Sequence, residues 1–302
     1  MPKNNPELSV IILNYNTRDL LKQCLLSLRK QVGVKFEIIV VDNASVDDST
    51  TLVKKEFPTV KLICSSKNLG FAGGNNLGIK EARGQYILFL NSDTEVLSGG
   101  LKEAVDFMKS DPQIGAMSPK IMLASGGIDP DCHRGFPTPW ASLTYFLGLE
   151  KLFPYSRLFG QYHKYYLGLD KTHEIDAGVG AFMIIPRAVV EKVGVWDDSY
   201  FFYGEDLDYF YRIKQAGFKV YYYARPLVVH HKGGSSGLRR ESQKVTRASR
   251  ETRIKTAKAS VRAMEIFYQK FYRHTYPAWL TALVLLGIRI KGMLRVLKQM
   301  FF

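Results

Sequence analysis

The segment Tyr86-Ile-Leu-Phe-Leu-Asn-Ser-Asp93 combines an unbroken apolar run with a polar end. Such a run is typical of a strand that is buried on both faces of a sheet. Before it, short apolar runs alternate with amphipathic stretches, which predicts parallel strands joined by crossover helices. The predicted strands are Leu8–Leu13, Phe36–Val41, Val60–Cys64 and Tyr86–Leu90, and the predicted helices are Arg18–Lys30, Ser49–Phe57 and Gly73–Ala82. The expected fold class is therefore α/β, with helices flanking a mostly parallel sheet.

The pattern weakens in the middle of the chain and then returns. Residues 120–175 are rich in proline, glycine and aromatic side chains, and they predict an insertion or lid. The elements predicted around it are the helices Leu101–Lys109 and Arg187–Val193 and the strands Ile114–Met117, Ala181–Ile185 and Lys219–Tyr223. The glycine-serine run Gly233–Gly237 predicts a loop or hinge. We therefore expect one domain over residues 1–237.

Length and composition favour one large domain with an appendage, because 302 residues with 46% apolar content can bury a substantial core. The formal net charge of +14 is concentrated in residues 238–302, which contain 15 Lys and Arg against 3 Asp and Glu. Cys24, Cys64 and Cys132 lie far apart without a metal-type spacing, which suits a reducing compartment. The N-terminus lacks the pattern of a secretion signal, so we expect a cytoplasmic location.

The basic tail, residues 238–302, predicts amphipathic helices. Its longest apolar stretch, Pro277–Ile288, is shorter than the roughly 20 residues that cross a bilayer. Apolar patches interrupted by basic residues are typical of helices on anionic lipid, so we expect peripheral association with the inner face of the cell membrane. Two alternatives remain open. One is a solvated helix that packs on the domain, and the other, which the sequence favours least, is a nucleic-acid patch; we expect no nucleic-acid partner.

Polar motifs follow two of the predicted strands. Asp42-Asn-Ala-Ser45 follows Phe36–Val41, and Asn14-Tyr-Asn16 follows Leu8–Leu13. Open α/β sheets characteristically bind ligands at the carboxyl ends of their strands, where a nucleotide base fits and Tyr15 can stack on it. The alternative is a solvated turn in which Asp42 or Ser45 caps the next helix.

The segment Asn68-Leu-Gly-Phe-Ala-Gly-Gly-Asn-Asn-Leu-Gly78 leads into the third predicted helix. Glycines at such a point let backbone N–H groups approach an anion, and the helix dipole favours negative charge there. The segment can therefore cradle a diphosphate or flank a nucleoside. Its glycine spacing is not that of the dinucleotide-binding fingerprint, and it follows the third strand rather than the first. A purely structural tight turn is the alternative.

The segment Phe201-Phe-Tyr-Gly-Glu-Asp-Leu-Asp208 places three carboxylates among aromatic side chains. An amphipathic pattern continues to Gly217, so the carboxylates lie in the first turn of a predicted helix. Ionised oxygens are costly to bury without partners, which suggests a catalytic or binding role.

Asn91-Ser-Asp93 suggests a site for a hard divalent cation. Asp93 supplies the oxygen ligand that Mg²⁺ or Mn²⁺ prefers, and such an ion can bridge a nucleotide diphosphate. One aspartate does not hold the ion unaided, so the imidazole of His230 or His231 is a candidate second ligand, with His230 favoured. A structural histidine remains the alternative.

Taken together, these motifs resemble the family-2 glycosyltransferases, particularly bacterial rhamnosyltransferase-like members, over roughly residues 8–237. Five segments in this order carry the resemblance: Val10-Ile-Ile-Leu-Asn-Tyr-Asn16, Val41-Asp-Asn-Ala-Ser45, Asn68 to Gly78, Leu90-Asn-Ser-Asp93 and Gly204-Glu-Asp-Leu-Asp208. The resemblance implies a GT-A fold, with a Rossmann-like sheet, and an inverting transfer of a sugar from a nucleoside-diphosphate donor.

The resemblance also implies roles for single residues. Asp42 is expected to read the nucleobase, Asp93 to ligate the metal with His230, and Asp206 to act as the catalytic base. Asn91 stands where the family motif often has a first acidic residue. The expected nucleotide-sugar site comprises Asn14, Tyr15, Asn16, Asp42, Asn43, Asn68, Gly70, Phe71, Gly73, Asn75, Asn76, Asn91, Ser92 and Asp93. Those expected to contact the acceptor or support the base are Trp196, Tyr203, Glu205 and Asp208.

An inverting transfer needs one carboxylate to deprotonate the acceptor hydroxyl and one cation to stabilise the leaving diphosphate. The aromatic wall of residues 201–203 and the charge of Glu205 are expected to raise the basicity of Asp206. The expected donor is deoxythymidine diphosphate-rhamnose, followed by UDP-sugars, and the expected acceptor is a glycan or a lipid-linked saccharide. Two rival functions are a nucleotidyltransferase that makes activated sugars and a non-catalytic subunit that binds nucleotide sugars.

Overall fold

The computed structural model describes residues 5–231 and 250–301, which form a mixed α/β fold around a central sheet. The strands are β1 (Leu8–Asn14), β2 (Phe36–Asp42), β3 (Lys61–Cys64), β4 (Tyr86–Asn91), β5 (Thr94–Val96), β6 (Ile114–Leu123), β7 (His173–Glu174), β8 (Phe182–Pro186) and β9 (Lys219–His230). The helices are α1 (Arg18–Arg29), α2 (Ser49–Glu56), α3 (Gly70–Glu81), α4 (Gly100–Lys109), α5 (Pro139–Phe146), α6 (Leu149–Leu152), α7 (Arg187–Val193), α8 (Glu205–Gln215), α9 (Arg250–Phe271) and α10 (Ala278–Phe301).

The strand order is β3-β2-β1-β4-β8-β6-β9-β5, and β7 pairs with β9. The first four strands are parallel, as predicted. The second half of the sheet is mixed, because β8 runs antiparallel to both β4 and β6, whereas β6 and β9 are parallel. A mostly parallel sheet is therefore correct for the N-terminal half alone, since an apolar run predicts a buried strand without predicting its direction.

Parallel pairing brings the carboxyl ends of β1, β2 and β4 to one edge of the sheet. Asn14 lies opposite Asp42, and Leu13 lies opposite Asn91. The polar segments that follow these three strands therefore begin at the same level, which is where open α/β sheets bind ligands.

Helix α3 begins at Gly70, earlier than the predicted Gly73, so most of the glycine-rich segment is helical. A Cβ atom on Gly74 would lie 2.3 Å from Leu13 Cδ1, and one on Gly78 would lie 2.4 Å from Ile11 Cγ2. These two glycines, which lie within the predicted helix Gly73–Ala82, let α3 approach β1 closely. The backbone N–H groups available to a ligand are those at the helix start near Gly70.

The tail divides into two helices with different surroundings. Phe267 and Tyr268 of α9, with Tyr272 just after it, are buried in the same core as the sheet, and Lys270 Nζ contacts Asp208 Oδ2 at 2.7 Å. The alternative in which the tail packs on the domain is thus correct for α9. The predicted hinge Gly233–Gly237 and the predicted boundary at residue 237 lie outside the described residues.

Helix α10 packs against α9, where a Cβ on Gly292 would lie 2.5 Å from Val261. Its other side is exposed to solvent. The exposed apolar residues of α10 follow a spacing of three and four: Trp279, Leu283, Leu286, Ile290, Met293, Leu294, Leu297 and Met300. No helix in residues 5–231 or 250–301 has an apolar stretch long enough to cross a membrane.

Candidate active site

The carboxyl ends of β1 and β2 are joined by a buried hydrogen-bond network. Asn14 Nδ2 donates to Asp42 Oδ1 at 2.9 Å and to Ser45 Oγ at 3.1 Å. The other Asp42 oxygen accepts the backbone N–H of Ser45 at 3.0 Å. Asp42 therefore holds the turn that follows β2 at the ligand-binding edge, but it is buried and does not cap α2, whose N-cap is Asp48.

A second set of hydrogen bonds ties the turn after β2 to the start of α3. Asn43 Nδ2 donates to Asn68 Oδ1 at 3.0 Å and to the carbonyl of Gly70 at 3.1 Å, and Asn43 Oδ1 accepts the N–H of Leu69 at 2.8 Å. Asn68 also accepts the N–H of Gly70. This network fixes the backbone of residues 68–70 beside the carboxyl end of β2.

The carboxyl ends of β1 and β4 meet through side-chain hydroxyls. Thr17 Oγ1 lies 2.7 Å from Ser92 Oγ and donates to Asn14 Oδ1, also at 2.7 Å. Asn16 adopts a positive φ of 53°, and its side chain accepts the N–H of Val46. Tyr15, which lies between Asn14 and Asn16 in the sequence, is half-buried. Asn14, Asn16 and Ser92 thus share one cluster, to which Thr17 was not assigned from the sequence.

The turn before α8 contacts the start of α3. The Phe201 carbonyl accepts the N–H of Phe71 at 3.1 Å, and a Cβ on Gly70 would lie 2.3 Å from that carbonyl oxygen. Gly70 has a φ of +74°, so both its conformation and its surroundings require glycine. Tyr203 adopts a φ of 71°, which is unusual for a bulky residue and is typical of functional sites.

Asp206, the predicted base, is buried and paired with an arginine. Arg134 Nη2 donates to Asp206 Oδ2 at 2.6 Å, and Arg134 Nε donates to the Gly178 carbonyl at 3.1 Å. Asp206 Oδ1 accepts the N–H of Leu207 at 2.8 Å. The carboxylate is therefore held in one orientation by a cation and a helix N–H group.

Glu205 lies next to Asp206 and has a different environment. Burial, followed by the negative charge of Asp206, raises the pKa of Glu205 to about 8, although the charge of Arg134 opposes this shift. Its Oε2 atom is buried without a hydrogen-bond partner. The carboxyl group that retains a proton near neutral pH is therefore Glu205.

The site contains two groups of charged side chains. The first is Arg134, Glu205 and Asp206, and the second is Asp93, His230 and Asp129, in which His230 contacts both carboxylates. His230 Nε2 lies 3.1 Å from Asp93 Oδ1, and His230 Nδ1 lies 3.4 Å from Asp129 Oδ2. Burial by itself lowers the pKa of His230. The charge of Asp93 and the hydrogen bonds to Asp129 and Asp93 outweigh it and raise this pKa to about 9.

The pair Asp93 and His230 suits a divalent cation. Asp93 supplies an oxygen and His230 a nitrogen at one place, and a cation bound by both would replace the proton that Nε2 shares with Asp93 Oδ1. No group of three or more histidine, cysteine or acidic side chains within residues 5–231 and 250–301 is arranged to hold a metal. The further ligands would have to be water or diphosphate oxygens, as is usual for Mg²⁺. His231 has a separate partner, since its Nε2 lies 2.7 Å from Glu95 Oε1.

Backbone contacts join the two charged groups. The N–H of Asn91, two residues before Asp93, donates to the carbonyl of Ala181. The neighbouring Gly178 carbonyl accepts from Arg134, which binds Asp206. Residues 178–181 thus lie between the end of β4 and the start of α8.

Four predicted site residues have structural partners instead. Asn75 donates to the Phe71 carbonyl in its own helix, and Asn76 exchanges two hydrogen bonds with the backbone of Trp196. The Trp196 ring is buried in the core, and Asp208 is fully buried between Arg212 and Lys270. Their expected roles toward nucleotide or acceptor remain predictions without support from the geometry.

Arg134 and Asp129 were not singled out from the sequence. Both lie in residues 120–175, the predicted insertion, next to a short 3-10 turn over Pro130–Cys132. Asp129-Pro130 is a recognisable turn signal. Nothing local in the sequence connects these residues to Asp206 or His230, which are 72 and 101 positions away.

Comparisons with known proteins support the family resemblance. Residues 9–194 match the family model described as Glycosyl transferase family 2. The chain is 27% identical over 218 residues to the low-salt glycan biosynthesis hexosyltransferase of Haloferax volcanii, covering 71% of this chain and 64% of that protein. It is 30% identical over 227 residues to the poly(ribitol-phosphate) beta-glucosyltransferase of Bacillus spizizenii, covering 70% of this chain and 33% of that protein.

A third relative matches over most of its own length. The N-acetylglucosaminyl-diphospho-decaprenol L-rhamnosyltransferase of Mycobacterium tuberculosis is 25% identical over 258 residues, which are 76% of this chain and 78% of that protein. By contrast, the chain spans about two thirds of the hexosyltransferase and one third of the glucosyltransferase.

Solved structures share the fold. A mannosyltransferase from Pyrobaculum calidifontis in complex with GDP-Man and Mn²⁺ aligns with a TM-score of 0.57 at 17% identity, covering 99% of this chain and 74% of that chain. TarS 1-349 of S. aureus in complex with UDP aligns with a TM-score of 0.54 at 17% identity, covering 89% and 73%. The GT-A fold that the sequence motifs imply is confirmed by these likenesses.

Proposed function

Since the chain belongs to glycosyl transferase family 2, we propose that it transfers a sugar, with inversion, from a nucleoside-diphosphate donor to a hydroxyl group of an acceptor. The observation that carries this proposal is that one backbone segment, residues 178–181, is hydrogen-bonded to both groups of charged side chains. Asn91, at the Asp93 end of β4, and Arg134, the partner of Asp206, both donate hydrogen bonds to the backbone of residues 178–181. A donor beside Asp93 would thus lie near the carboxylate at the start of α8.

Asp206 is the general base of the proposed reaction. Its carboxylate accepts the proton of the acceptor hydroxyl while that oxygen forms a bond to the anomeric carbon. The bond from the anomeric carbon to the diphosphate oxygen breaks, and the nucleoside diphosphate leaves on the opposite face. Arg134 supports this role because it holds Asp206 Oδ2 and so limits the carboxylate to one orientation.

The polar network at β1, β2 and α3 is the proposed nucleotide site. Asp42 and Tyr15 would contact the base, and residues 68–73 would border the nucleoside. The buried hydrogen bonds of Asn14 and Asn43 support this proposal, since they fix the backbone of the surrounding loops before a ligand binds.

Asp93 and His230 are the proposed ligands of Mg²⁺ or Mn²⁺. When bound, the ion would offset the negative charge of the departing diphosphate. Mn²⁺ in the related mannosyltransferase complex supports a divalent cation in this fold.

The proposed donor is deoxythymidine diphosphate-rhamnose, with UDP-sugars next, and the proposed acceptor is a glycan or lipid-linked saccharide. The Mycobacterium tuberculosis relative, an N-acetylglucosaminyl-diphospho-decaprenol L-rhamnosyltransferase, supports both choices. A lipid-linked acceptor would require the enzyme to work at a membrane surface.

The exposed side of α10 is the proposed contact with that surface. Its apolar stripe is accompanied by Arg289, Lys291, Arg295 and Lys298, and the first turn of the helix contains no acidic residue. Such a helix binds anionic lipid by burying its apolar side chains in the membrane surface and by the attraction of its basic side chains to the lipid charge.

Replacing Leu283, Leu286 and Ile290 by serine should reduce flotation with anionic liposomes several-fold, whereas Val32→Ser, at a distant exposed position, should leave it unchanged. Equal flotation of all three proteins would remove α10 from this role.

Asp206→Asn tests the central proposal. We expect sugar transfer to fall by at least about 1,000-fold while nucleotide binding persists, because the amide keeps the shape of the carboxylate but cannot accept the proton. Asp208→Asn is the matched control, since it alters a buried carboxylate in the same helical turn that contacts Arg212 and Lys270. The assay should detect release of free nucleoside diphosphate rather than pyrophosphate. Substantial turnover by Asp206→Asn would remove Asp206 as the base.

A further inference from the structure

Asp129 is a buried carboxylate with no role in the reaction proposed above. It is fully shielded from solvent and lies just before the 3-10 turn Pro130–Cys132, within the segment predicted to be an insertion. Burying a carboxylate is costly unless polar partners compensate for the lost hydration. The position and the partners of Asp129 therefore call for a physical explanation.

The backbone around Asp129 is fixed by its own hydrogen bonds. Its N–H donates to the Ile121 carbonyl at 2.9 Å, and its carbonyl accepts the N–H of Cys132 at 3.2 Å. One side-chain oxygen, Oδ1, accepts the N–H of Asp131 at 3.0 Å and caps the 3-10 turn. These three contacts determine where the second oxygen, Oδ2, points.

Asp129 Oδ2 faces His230 from the side of the ring opposite to Asp93. It lies 3.4 Å from Nδ1, whereas Asp93 Oδ1 lies 3.1 Å from Nε2. Because the two ring nitrogens project in different directions, a cation shared by Asp93 and Nε2 would not be reached by Asp129. The carboxylate thus lies behind the proposed metal ligand.

A histidine binds metal through a nitrogen that carries no proton, and its other nitrogen then carries one. When a cation replaces the proton on Nε2, an acceptor at Nδ1 keeps the remaining proton there, and a negatively charged acceptor also makes the imidazole a better donor to the metal. The contact of 3.4 Å is at the long end of the hydrogen-bond range, so its effect depends on the charge of the acceptor as well as on its position.

We propose that Asp129 is a positioning residue that orients His230 and increases its affinity for the divalent cation. The inference rests on the proposed function, since it takes Asp93 and His230 as metal ligands. It extends the site by one residue, from a segment that no motif of the chain marks as functional. The cation is the same Mg²⁺ or Mn²⁺, and Asp129 itself does not contact it.

The neighbouring pair of Glu95 and His231 provides a matched control. It also joins a carboxylate to an imidazole at the end of β9, with Nε2 at 2.7 Å from Oε1. The His231 side chain is more exposed than that of His230. Its contact with Asp93 is a backbone hydrogen bond, from the His231 N–H to the Asp93 carbonyl at 2.9 Å, which a side-chain substitution leaves in place. Glu95→Gln and His231→Gln therefore repeat the chemical changes outside the proposed metal site.

The experiment measures Mn²⁺ binding to the full chain by electron paramagnetic resonance, with and without UDP, and records the ¹⁴N modulation that a coordinated imidazole produces. We expect Asp129→Asn to bind Mn²⁺ about 10- to 100-fold more weakly and to show an altered ¹⁴N signal. Glu95→Gln and His231→Gln should match the wild type. Asn retains an oxygen to cap the turn, and thermal unfolding checks that the variant is folded.

The outcomes separate this inference from the proposed function. Wild-type affinity and an unchanged ¹⁴N signal in Asp129→Asn, together with a loss of both in His230→Gln, would overturn the role of Asp129 and leave the metal site standing. Wild-type binding in His230→Gln, or no binding by the wild type, would overturn the metal site and the role of Asp129 with it. Sugar transfer by Asp206 is decided separately by the Asp206→Asn variant.

Discussion

The nucleotide side and the charged side of the candidate active site are built from different kinds of interaction. On the nucleotide side, neutral amides and hydroxyls surround one carboxylate, and the partners Asn14–Asp42 and Asn43–Asn68 are 28 and 25 positions apart. On the charged side, ionisable groups meet across the chain. Arg134 and Asp206 are 72 positions apart, and Asp93 and His230 are 137 apart.

This difference determines how each side responds to substitution. A neutral hydrogen bond contributes about 0.5–1.5 kcal/mol to the free energy of unfolding, because water replaces it when it is lost. Removing one partner of a buried ion pair costs about 3–5 kcal/mol, because a buried charge is left without compensation. The charged side should therefore be the more sensitive one, and three substitutions test this contrast.

Arg134→Met should have the largest effect. It leaves Asp206 buried, with the Leu207 N–H as its remaining hydrogen-bond donor among the contacts described above. We expect the free energy of unfolding to fall by about 3–5 kcal/mol and the rate of sugar transfer to fall by about 100-fold, because the base is no longer oriented. Chemical denaturation and a transfer assay below the melting temperature measure the two effects.

Arg212→Met is the matched control for Arg134→Met. It also breaks a buried ion pair on α8, but Asp208 keeps Lys270 at 2.7 Å. The loss of stability should therefore be smaller, and transfer by the folded protein should be close to that of the wild type. If the two variants lose activity equally, Arg134 acts through stability and not through Asp206.

Asn43→Ala should have an intermediate effect. It removes three hydrogen bonds that hold residues 68–70, and we expect a loss of about 1–3 kcal/mol and a several-fold higher KM for the donor. Asn76→Ala is the control, since it removes two hydrogen bonds to the Trp196 backbone away from the nucleotide cluster. A similar loss of stability with an unchanged KM is expected there. Equal KM values in both variants would mean that Asn43 stabilises the fold but does not contribute to donor binding.

The same contrast explains how much could be predicted from the sequence. The polar residues of the nucleotide side directly follow predicted strands, and parallel strands bring their carboxyl ends to one edge, so local pattern leads to Asn14, Asp42 and Ser92. The family resemblance adds Asp93 and Asp206. Arg134, the partner of Asp206, and Asp129, the second partner of His230, could not be predicted, because both lie in a segment without periodicity.

The direction of β8 and the start of α3 were missed for related reasons. An apolar run such as Phe182–Ile185 predicts burial but carries no information on strand direction. In α3, residues 70–72 were placed in the loop before the predicted helix, whereas the helix begins at Gly70, beside the Phe201 carbonyl. Both features depend on residues distant in the chain, as do the ion pairs of the charged side.

Glu205→Gln should change only the pH dependence of the free energy of unfolding, and its sign is opposite to that of the other two. Burial raises the pKa of Glu205 from 4.5 to about 8, so between these values the folded protein holds a proton that the unfolded chain has lost. The wild type therefore loses stability as the pH rises from about 4.5 to 8, and glutamine, which cannot ionise, removes this dependence. Relative to the wild type, Glu205→Gln should gain stability between pH 5 and pH 8, by about 1.4 kcal/mol for each pH unit over which only the folded form holds the proton, measured by urea unfolding at both values. Glu191→Gln, at an exposed position on α7, should show the same pH dependence of the free energy of unfolding as the wild type. If Glu205→Gln also shows the wild-type pH dependence, Glu205 is ionised in the folded protein, and the charged side tolerates two adjacent negative charges beside Arg134.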